Sequence, residues 1–544
     1  MKNKLCKMGY ICIFVIVFFS GAVQNLRAAT GSVNAGEVRQ TIEGFGASVA
    51  WYCGWLTAHP NKEDIYEMIF FDLGLDILRF RNTYRYTNGQ FAQDEAEMVE
   101  KTFDYADHTI KVMISSWSPP ATLKSNDNTE KGGTLKKTDD GFVYDEFALY
   151  WYDALDNYER AGVIADYISI QNEPGFTADW ESCVFKPYET STNAGYDRAL
   201  EAVHNKLSTM EDMPKMLGPE VLGIGYNTFQ NYAQRFNHDL LYGYAHHLYH
   251  GGDGSNPDSY ITNMTKIAEQ YPDKPRFQTE YDGGDWFDTA WFIHNSLVYE
   301  EVAGYLYWDL IWGGGKALVT LENPWDEGQW TTPDGYTLTE AYYAFRQYSK
   351  YIYPGWRRLG ASVDSDDLRI SAFLSSEGDS LSVVLLNVGE NSEDLSLNFD
   401  NFSLSGGEIV RTSETEFSDE IGQFQAGSAL SVPARSITTL ALTGQAVTGI
   451  NETNQRPSGF ILRQNYPNPF NPVTTIHYAV PKKGKVSLKV FDVLGHEVVT
   501  LVDEIKPSGE YKIQFDGGKL ASGLYFYRLQ QNNLTETKKF ILLR

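Results

Sequence analysis

Short apolar runs alternate with longer amphipathic segments from residue 43 to about residue 350. The runs predict eight strands, at residues 42–46, 77–80, 112–115, 167–170, 216–219, 244–247, 276–279 and 304–308. Helical spacing of apolar residues between them is clearest at residues 62–71, 144–161 and 193–207. This α/β alternation predicts a (β/α)8 TIM barrel at residues 43–352.

The pattern changes after Tyr353-Pro354-Gly355, where alternation of apolar and polar residues replaces the helical spacing. The segments LSVVLL at residues 381–386 and LSLNF at residues 395–399 show it, and serine and glycine separate the runs. Such a pattern is typical of β-strands. We therefore predict a side β-domain at residues 353–443, to which a strand at residues 30–42 adds.

A polar segment at residues 444–462 predicts a linker. Strand patterns then resume, for example at residues 486–491 and 523–528. The length of this last segment lies within the usual domain range, so we predict a small β-sandwich at residues 463–544.

The first 29 residues have the organisation of a signal peptide. Three lysines precede an apolar run at residues 10–19, and Ala28-Ala29 supplies small residues for cleavage. The apolar run is too short to span a membrane comfortably. We therefore predict an exported protein.

Export leaves two of the four cysteines in the mature chain, Cys53 and Cys183. Exported proteins often pair such residues. A disulfide requires a short separation between the two Cα atoms, which the sequence does not reveal. Pairing is therefore left open.

The net charge of −26 changes the range of possible partners. A polyanion such as nucleic acid is repelled by this excess of carboxylates, so we predict no nucleic-acid partner. We also predict a monomer. The aromatic content of 14% suits a sugar-binding cleft, because rings pack against the apolar face of a sugar. Burial of rings in a large β-rich core accounts for the same content equally well.

Two glutamates close predicted strands at the end where barrel active sites are built. Glu173 lies in the motif SIQNEP at the end of strand four, and Glu280 follows Thr279 on strand seven. Glycoside hydrolysis requires one carboxyl group as acid and base and a second as nucleophile in retaining enzymes. We predict these roles for Glu173 and Glu280 respectively. Each motif alone is a weak signal, and the combination on one barrel carries the prediction.

Other residues near the predicted strand ends are candidate substrate contacts. They are Trp55, Arg79, Trp117, Asn172, His247, Tyr249 and Trp308. Each has a structural alternative, such as a core ion pair for Arg79, a hydrogen-bonded structural histidine for His247 and packing for the tryptophans. Glu220, after strand five, is either a loop carboxylate or a substrate contact.

Three histidines, at positions 246, 247 and 250, lie close together in the sequence. No acidic residue stands beside them at a spacing typical of metal ligands. We therefore predict no metal and no cofactor.

These motifs resemble glycoside hydrolase family 30. The matching stretches are IEGFGAS at residues 42–48, SWSPP at 116–120, SIQNEP at 169–174, HLY at 247–249 and TE at 279–280. The resemblance implies a TIM barrel with a fused side β-sandwich, and a retaining mechanism in which Glu173 is acid and base and Glu280 the nucleophile. It is nearest to the xylanase branch, which implies an endo-β-1,4-xylanase acting on xylan, a plant cell-wall polysaccharide.

One departure from the family pattern concerns branch recognition. Glucuronoxylan-specific members carry an arginine-rich stretch after strand eight, which binds a glucuronic acid branch. Here Trp308 is followed by DLIWGGGK, and its lysine lacks the guanidinium fork that binds a carboxylate through two hydrogen bonds. We therefore expect little or no dependence on such branches.

Two alternative functions remain open. The first is another retaining β-glycosidase of the same family, acting on β-1,6-glucan, a β-glucoside or a β-fucoside. The second is a surface protein that binds sugar without catalysis, and the presence of both glutamates counts against it.

The last 80 or so residues resemble the C-terminal sorting domain of the type IX secretion system. The opening NYPNPFNP at residues 465–472 and the final strand KKFILL at residues 538–543 carry this resemblance. It implies export by the type IX machinery to the medium or to the outer-membrane surface. A carbohydrate-binding module is the alternative, and the few candidates for exposed aromatic residues count against it.

Overall fold

The computed structural model describes residues 28–85, 92–447, 460–465, 468, 470–506, 509–531 and 534–543. Apart from Ala28 and Ala29, the predicted signal peptide lies outside the described residues, as does most of the predicted linker. The chain divides into two compact units at Val447 and Thr448.

Eight parallel strands close into a barrel in the first unit. In chain order, barrel strands 1 to 8 are Gly44–Val49, Ile77–Arg81, Lys111–Ser115, Tyr167–Ser169, Lys215–Val221, Gly243–His247, Arg276–Glu280 and Gly304–Tyr307. Strand 8 pairs with strand 1, which places Tyr305 opposite Phe45 and completes the circle. The predicted barrel is confirmed.

Helices cover the outside of the barrel. They are Cys53–Ala58, Lys62–Tyr66, Gln93–Tyr105, Tyr144–Arg160, Tyr196–Leu207, Thr228–Ala233, Ile261–Gln270, Trp286–Asn295 and Glu340–Ser349. Wider turns at Glu67–Asp72 and Ser296–Glu300 extend two of them, and single turns occur at Ala121–Leu123, Gly225–Asn227, His238–Leu240, Pro257–Tyr260 and Glu327–Gln329. Within Tyr144–Arg160, the residues Phe147, Trp151, Leu155 and Tyr158 face inward at helical spacing.

Two small sheets decorate the barrel. A hairpin joins Lys137–Thr138 and Gly141–Phe142. After strand 8, the segment at residues 309–339 forms a three-stranded sheet from Ile311–Trp312, Val319–Leu321 and Tyr336–Leu338. We call this segment the strand-8 excursion.

A nine-stranded sheet completes the first unit. Its strands are Ala29–Thr41, Arg357–Val363, Leu368–Leu374, Ser380–Asn387, Glu393–Asp400, Phe402–Thr412, Phe417–Phe424, Ala429–Val432 and Ser436–Ala446. The predicted N-terminal strand lies inside the sheet, antiparallel to Arg357–Val363 and parallel to Glu393–Asp400. Leu381 and Val383 pack into the core of the side domain, whereas Val384 packs into the barrel core. This alternation fixes the side sandwich against the barrel.

The second unit is a β-sandwich. One sheet holds Ile461–Leu462, Val473–Val480 and Gly509–Asp516, and the other holds Gly484–Phe491, Glu497–Lys506, Gly523–Gln531 and Leu534–Leu542. Phe470, Ile476, Leu488, Tyr527 and Phe540 belong to the core between the sheets. The predicted small β-sandwich is confirmed. In the part of the chain that the structure describes, no helix has the length and apolar character needed to span a membrane.

Candidate active site

The two predicted glutamates meet at the carboxyl-terminal end of the barrel. Glu280 is the last residue of strand 7, and Glu173 lies in the loop after strand 4. One oxygen of each and one ring nitrogen of His247 lie within 4.8 Å of one another. The Glu173 and Glu280 side chains are 11% and 7% exposed. Residues far apart in the sequence thus form one nearly buried pair of carboxyl groups.

The backbone at this site is strained. Glu173 and Glu220 adopt left-handed conformations, with φ of 48° and 53°. A side chain other than glycine costs about 1–3 kcal/mol in such a conformation. The Glu173 N–H donates to the Glu220 carbonyl oxygen at 2.9 Å, so the two strained positions support each other. Strain of this kind is concentrated at functional sites.

Arg79 connects the carboxylates from beneath. Its fully buried guanidinium donates to Glu280 Oε2 at 2.8 Å and to Asn172 Oδ1 at 2.7 Å. It also lies 3.0 Å from Glu220 Oε1. The Trp117 ring centre is 4.6 Å from the guanidinium carbon, which adds a cation–π contact. A single fixed cation from strand 2 therefore orients groups near the ends of strands 4, 5 and 7.

His247 lies among three carboxylates. Its Nδ1 is 3.0 Å from Glu173 Oε1, and its Nε2 is 3.8 Å from Glu280 Oε2 and 3.9 Å from Glu220 Oε1. Burial disfavours the charged ring, but the attraction of Glu280 and the other two carboxylates outweighs it and raises the pKa of His247 to about 9. The ring is therefore protonated at neutral pH, and Nδ1 donates to Glu173.

The carboxyl groups of Glu220 and Glu280 respond differently to the same surroundings. Burial disfavours the charged form of both. For Glu220 the positive charges of Arg79 and His247 prevail, and the pKa falls to about 2. For Glu280 burial prevails and raises the pKa, although His247 and Arg79 oppose the rise. Tyr249 donates a further hydrogen bond to Glu280 Oε1 at 3.2 Å. Of these two groups, Glu220 is thus the one held as a carboxylate, whereas Glu280 is protonated more readily.

A cavity of about 520 Å³ opens above the two glutamates. Its lining residues are Trp51, Trp117, Glu173, Phe176, Trp180, Leu222, Tyr249, Glu280, Trp308 and Trp312. The Trp51 ring centre lies 5.3 Å from that of Trp117 and 5.4 Å from that of Trp308. A pocket walled by rings with carboxylates at its floor suits a ligand that has both apolar faces and hydroxyl groups.

The structure brings together all but one of the residues predicted from the sequence. Glu173, Glu280, Trp117, Tyr249 and Trp308 line the cavity. Arg79, Asn172 and His247 are buried beneath it and contact the carboxylates or one another, so their direct contact with substrate stays a prediction. Trp55 does not line the cavity, and its ring packs instead 4.8 Å from Tyr52 and 6.0 Å from Trp325.

Sequence reasoning did not single out four aromatic residues of the cavity wall. Trp51 and Trp312 follow strands 1 and 8 closely, so an extension of the strand-end rule into the adjoining loops finds both. Phe176 and Trp180 lie in the long loop after Glu173, where no local signal marks them. The role of Glu220 was also missed, because its partner Arg79 is distant in the sequence.

Glu173, His247 and Glu280 are close enough together to be considered as metal ligands. His247 Nδ1 already forms a hydrogen bond with Glu173, and Arg79 already donates to Glu280. These donors therefore fit a hydrogen-bonded acid and base pair better than a metal ion.

Cys53 and Cys183, the two cysteines among the described residues, are free and buried. The Cys53 sulfur lies 3.2 Å from the Met98 sulfur. The structure thus answers the open question about pairing, since Cys53 and Cys183 form no disulfide with each other.

A closed parallel barrel with two convergent glutamates below an aromatic cavity is the architecture of a glycoside hydrolase. Known families agree with this class. The glycosyl hydrolase family 30 TIM-barrel domain matches residues 84–193, and the family 30 β-sandwich domain matches residues 355–440. The chain thus contains the barrel and β-sandwich domains of glycoside hydrolase family 30.

The last part of the chain has a different origin. Residues 464–543 match the secretion system C-terminal sorting domain. This is the type IX sorting domain that the sequence resembles, and it indicates a protein that is secreted or attached to the cell surface.

Individual relatives are similar at low identity. The glucuronoxylanase XynC of Bacillus subtilis (strain 168) is 24% identical over 467 residues, which cover 79% of this chain and 98% of XynC. The endo-1,6-beta-D-glucanase neg1 of Aspergillus fumigatus is 25% identical over 285 residues, or 45% of this chain and 51% of that protein. The catalytic domain of GH30 xylanase C from Talaromyces cellulolyticus superimposes with a TM-score of 0.62 at 20% identity, covering 76% of this chain and 100% of that domain. At this identity the superposition shows the fold alone.

Proposed function

We propose that the protein is a retaining endo-β-1,4-xylanase that does not require glucuronic acid branches. The observation that carries the proposal is the separation of Glu173 and Glu280, whose oxygens lie within 4.8 Å. Retaining enzymes place the two carboxyl groups about 5–5.5 Å apart, whereas inverting enzymes leave about 6.5–9.5 Å for a water molecule. The glucuronoxylanase XynC, which is similar to this chain over nearly its whole length, supports xylan as the substrate.

In the first step Glu280 attacks the anomeric carbon while Glu173 donates its proton to the glycosidic oxygen. The bond to the leaving sugar breaks, and a glycosyl ester forms on Glu280. Arg79 and Tyr249 hold the Glu280 oxygens in place for this attack through hydrogen bonds of 2.8 and 3.2 Å.

In the second step Glu173 acts as a base and removes a proton from water. The water oxygen attacks the anomeric carbon and breaks the ester, which regenerates the Glu280 carboxylate. The released sugar has the same anomeric configuration as the substrate. His247 keeps Glu173 oriented in both steps through its hydrogen bond of 3.0 Å.

Branch independence rests on the strand-8 excursion. Its first residues carry Lys316 and no arginine. The Lys316 Nζ donates to the carbonyl oxygen of Gly284 at 3.1 Å and is exposed. This lysine does not provide the paired hydrogen bonds that recognise a glucuronate.

The test is a time course of product lengths on xylan, arabinoxylan, glucuronoxylan and β-1,6-glucan. We expect short xylo-oligosaccharides to appear early from all three xylans, at similar rates with and without uronic acid. A collapse of glucuronoxylan hydrolysis after removal of the uronic acid would contradict branch independence. Absence of activity on every xylan would reject the xylanase proposal.

A β-1,6-glucanase is the second candidate, because the Aspergillus fumigatus relative carries that activity in its name at 25% identity. The same time course distinguishes the two, since only this candidate releases products from β-1,6-glucan. A sugar-binding protein without catalysis is expected to lack one of the two carboxylates. Here both are present, and Glu280 is hydrogen-bonded to Arg79 and Glu173 to His247.

A further inference from the structure

A row of aromatic rings continues from the cavity across the strand-8 excursion. The Trp312 ring centre lies 6.3 Å from Trp51 and 4.5 Å from Tyr52. Trp55 follows at 4.8 Å from Tyr52, and Trp325 at 6.0 Å from Trp55. Trp325 is 67% exposed, which is unusual for so large an apolar side chain. The row therefore leads from the catalytic cavity to an open ring on the surface.

The loop that carries Trp325 is ordered by its own hydrogen bonds. The Glu322 carboxylate accepts from the Thr332 N–H at 2.9 Å and from the hydroxyl groups of Thr331 and Thr332 at 3.1 and 2.8 Å. The Trp325 N–H donates to Asn323 Oδ1 at 2.9 Å. A ring on a fixed backbone loses little conformational entropy when a ligand binds to it.

The same loop is anchored to the barrel. Trp330 stacks on His59, with ring centres 5.1 Å apart and planes 5° from parallel. His59 Nε2 lies 3.1 Å from the Gly335 carbonyl oxygen. A Cβ at Gly335 would lie 2.6 Å from the Trp330 ring, so this close approach requires glycine. The exposed ring is thus held at a constant position relative to the cavity.

The position of Glu173 decides which part of a sugar chain meets this row. The acid and base residue lies beside the glycosidic oxygen, so the leaving part of the substrate extends over the loop after strand 4. Phe176 and Trp180 line the cavity on that side. Strands 8 and 1 lie opposite strands 4 and 5 in the barrel. The part of the chain that becomes bound to Glu280 therefore extends towards the row.

We propose that Trp55 and Trp325 form a distal subsite for the part of the polysaccharide that is retained on Glu280. The inference rests on the proposed function. The subsite takes an unbranched neutral sugar backbone, because the rings offer apolar faces and the exposed Asp326 and Glu327 repel a glucuronate branch. Contacts with a longer stretch of the polysaccharide backbone thus replace the contact with a glucuronate branch that an arginine would make.

The test compares Trp325→Ala, Trp325→Tyr and wild type on unbranched xylo-oligosaccharides of increasing length. The readout is the ratio of kcat/KM between long and short substrates. We expect Trp325→Ala to lower this ratio by about tenfold, mainly through KM, since loss of one stacked ring costs about that much. Trp325→Tyr keeps a ring and should recover most of the ratio. Phe103→Ala is the matched control, because Phe103 is 77% exposed on the helix Gln93–Tyr105 and belongs to neither the cavity nor the row.

An unchanged ratio in Trp325→Ala would overturn the subsite, and so would an equal loss at every length, because that outcome reports general damage. Failure of the proposed function looks different. If the wild type cleaves only β-1,6-glucan, the xylanase proposal is rejected and the same ratio is measured on β-1,6-linked oligosaccharides. A length-dependent loss there still supports the subsite, and its absence overturns it.

Discussion

At each end of the barrel, carboxylates lie against positively charged side chains. The two ends differ in the number of carboxylates that share one cation. Where the strands begin, Glu43 accepts hydrogen bonds from Lys111 at 2.8 Å, from Tyr167 at 2.7 Å and from Tyr242. Burial opposes its charge, but Lys111 and the two hydroxyl groups prevail and lower the pKa of Glu43 to about 2. Where the strands end, Arg79 serves both Glu220 and Glu280.

The difference separates a structural cluster from a reactive one. At the lower end three side chains donate to the single carboxylate of Glu43. At the upper end two cations serve three carboxylates, so burial raises the pKa of Glu280 while Glu220 remains charged. A carboxyl group that is held by fewer donors stays available to react, and the cavity lets the substrate reach it.

The largest expected effect comes from removal of Glu173 and Glu280, the two carboxyl groups that we propose are catalytic. Glu280→Ala should lose about 10⁴-fold or more of kcat, since the residue forms the covalent intermediate. With an activated aryl glycoside, azide should replace Glu280 directly and give a product of inverted configuration. In Glu173→Ala, azide should attack the ester on Glu280 and give retained configuration. Product configuration is read by NMR.

Glu43→Gln is the matched control, because it removes a buried carboxylate from the other end of the barrel. It should keep wild-type turnover. Exchanged configurations in the two azide reactions would exchange the assigned roles, and near-normal turnover in Glu280→Ala would remove Glu280 from catalysis.

Arg79→Lys tests the role of the cation that Glu220 and Glu280 share. A lysine reaches fewer oxygens than the guanidinium fork, so we expect about a 10²-fold loss of kcat/KM. Glu280 must be ionised to attack, so activity falls as the pH drops through its raised pKa. A weaker cation raises the pKa of Glu280 further, so the acid side of the pH–rate profile should move to higher pH. A profile that keeps its position would refute this assignment, and Lys111→Arg at the other end should leave it unchanged.

His247 predicts a loss of stability on the alkaline side. Its pKa rises from the usual 6.5 to about 9 in the folded protein, so its contribution is complete below pH 6.5 and disappears as the pH rises through 9. The contribution is at most about 3 kcal/mol. His247→Gln should abolish this difference between neutral and alkaline pH. Chemical unfolding between pH 6 and 10 measures it, and equal alkaline losses in both proteins would count against a charged His247.

Glu43 predicts the opposite and smaller dependence. Its pKa falls from 4.5 to about 2 on folding, so its contribution is present above pH 4.5 and disappears as the pH falls towards 2. Because the side chain is 19% exposed, we expect Glu43→Gln to lower the free energy of unfolding by only about 2 kcal/mol at pH 7. Unfolding curves from pH 2 to 7 test this, and a constant difference across that range would contradict it.

The sequence predicted the fold well because its signals are local. The strands of a parallel barrel are covered on both faces, so each reads as a short apolar run wherever it lies in the chain. Glu173 and Glu280 were found for a related reason, since each follows such a run directly. The side β-domain was visible through the alternation of apolar and polar residues along its strands. Val383 and Val384 are neighbours that pack into different cores.

The sequence suggested that Arg79 or Tyr249 donates to Glu280, and both do. Other partnerships between distant residues were not visible. The sequence does not reveal that Arg79 joins Glu220 to Glu280, that His247 carries a charge, or that Trp55 lies outside the cavity while Trp51 lines it. Pairing of Cys53 and Cys183 depends on their positions in space, and in the structure both are free. By itself the sequence predicted the barrel and the strand-end positions of the two glutamates, because these depend on neighbouring residues, and it indicated the export domain through resemblance to the type IX sorting domain. Only the tertiary structure decided the charges and the aromatic row, because pKa values and ring contacts depend on distances between strands that closure of the barrel brings together.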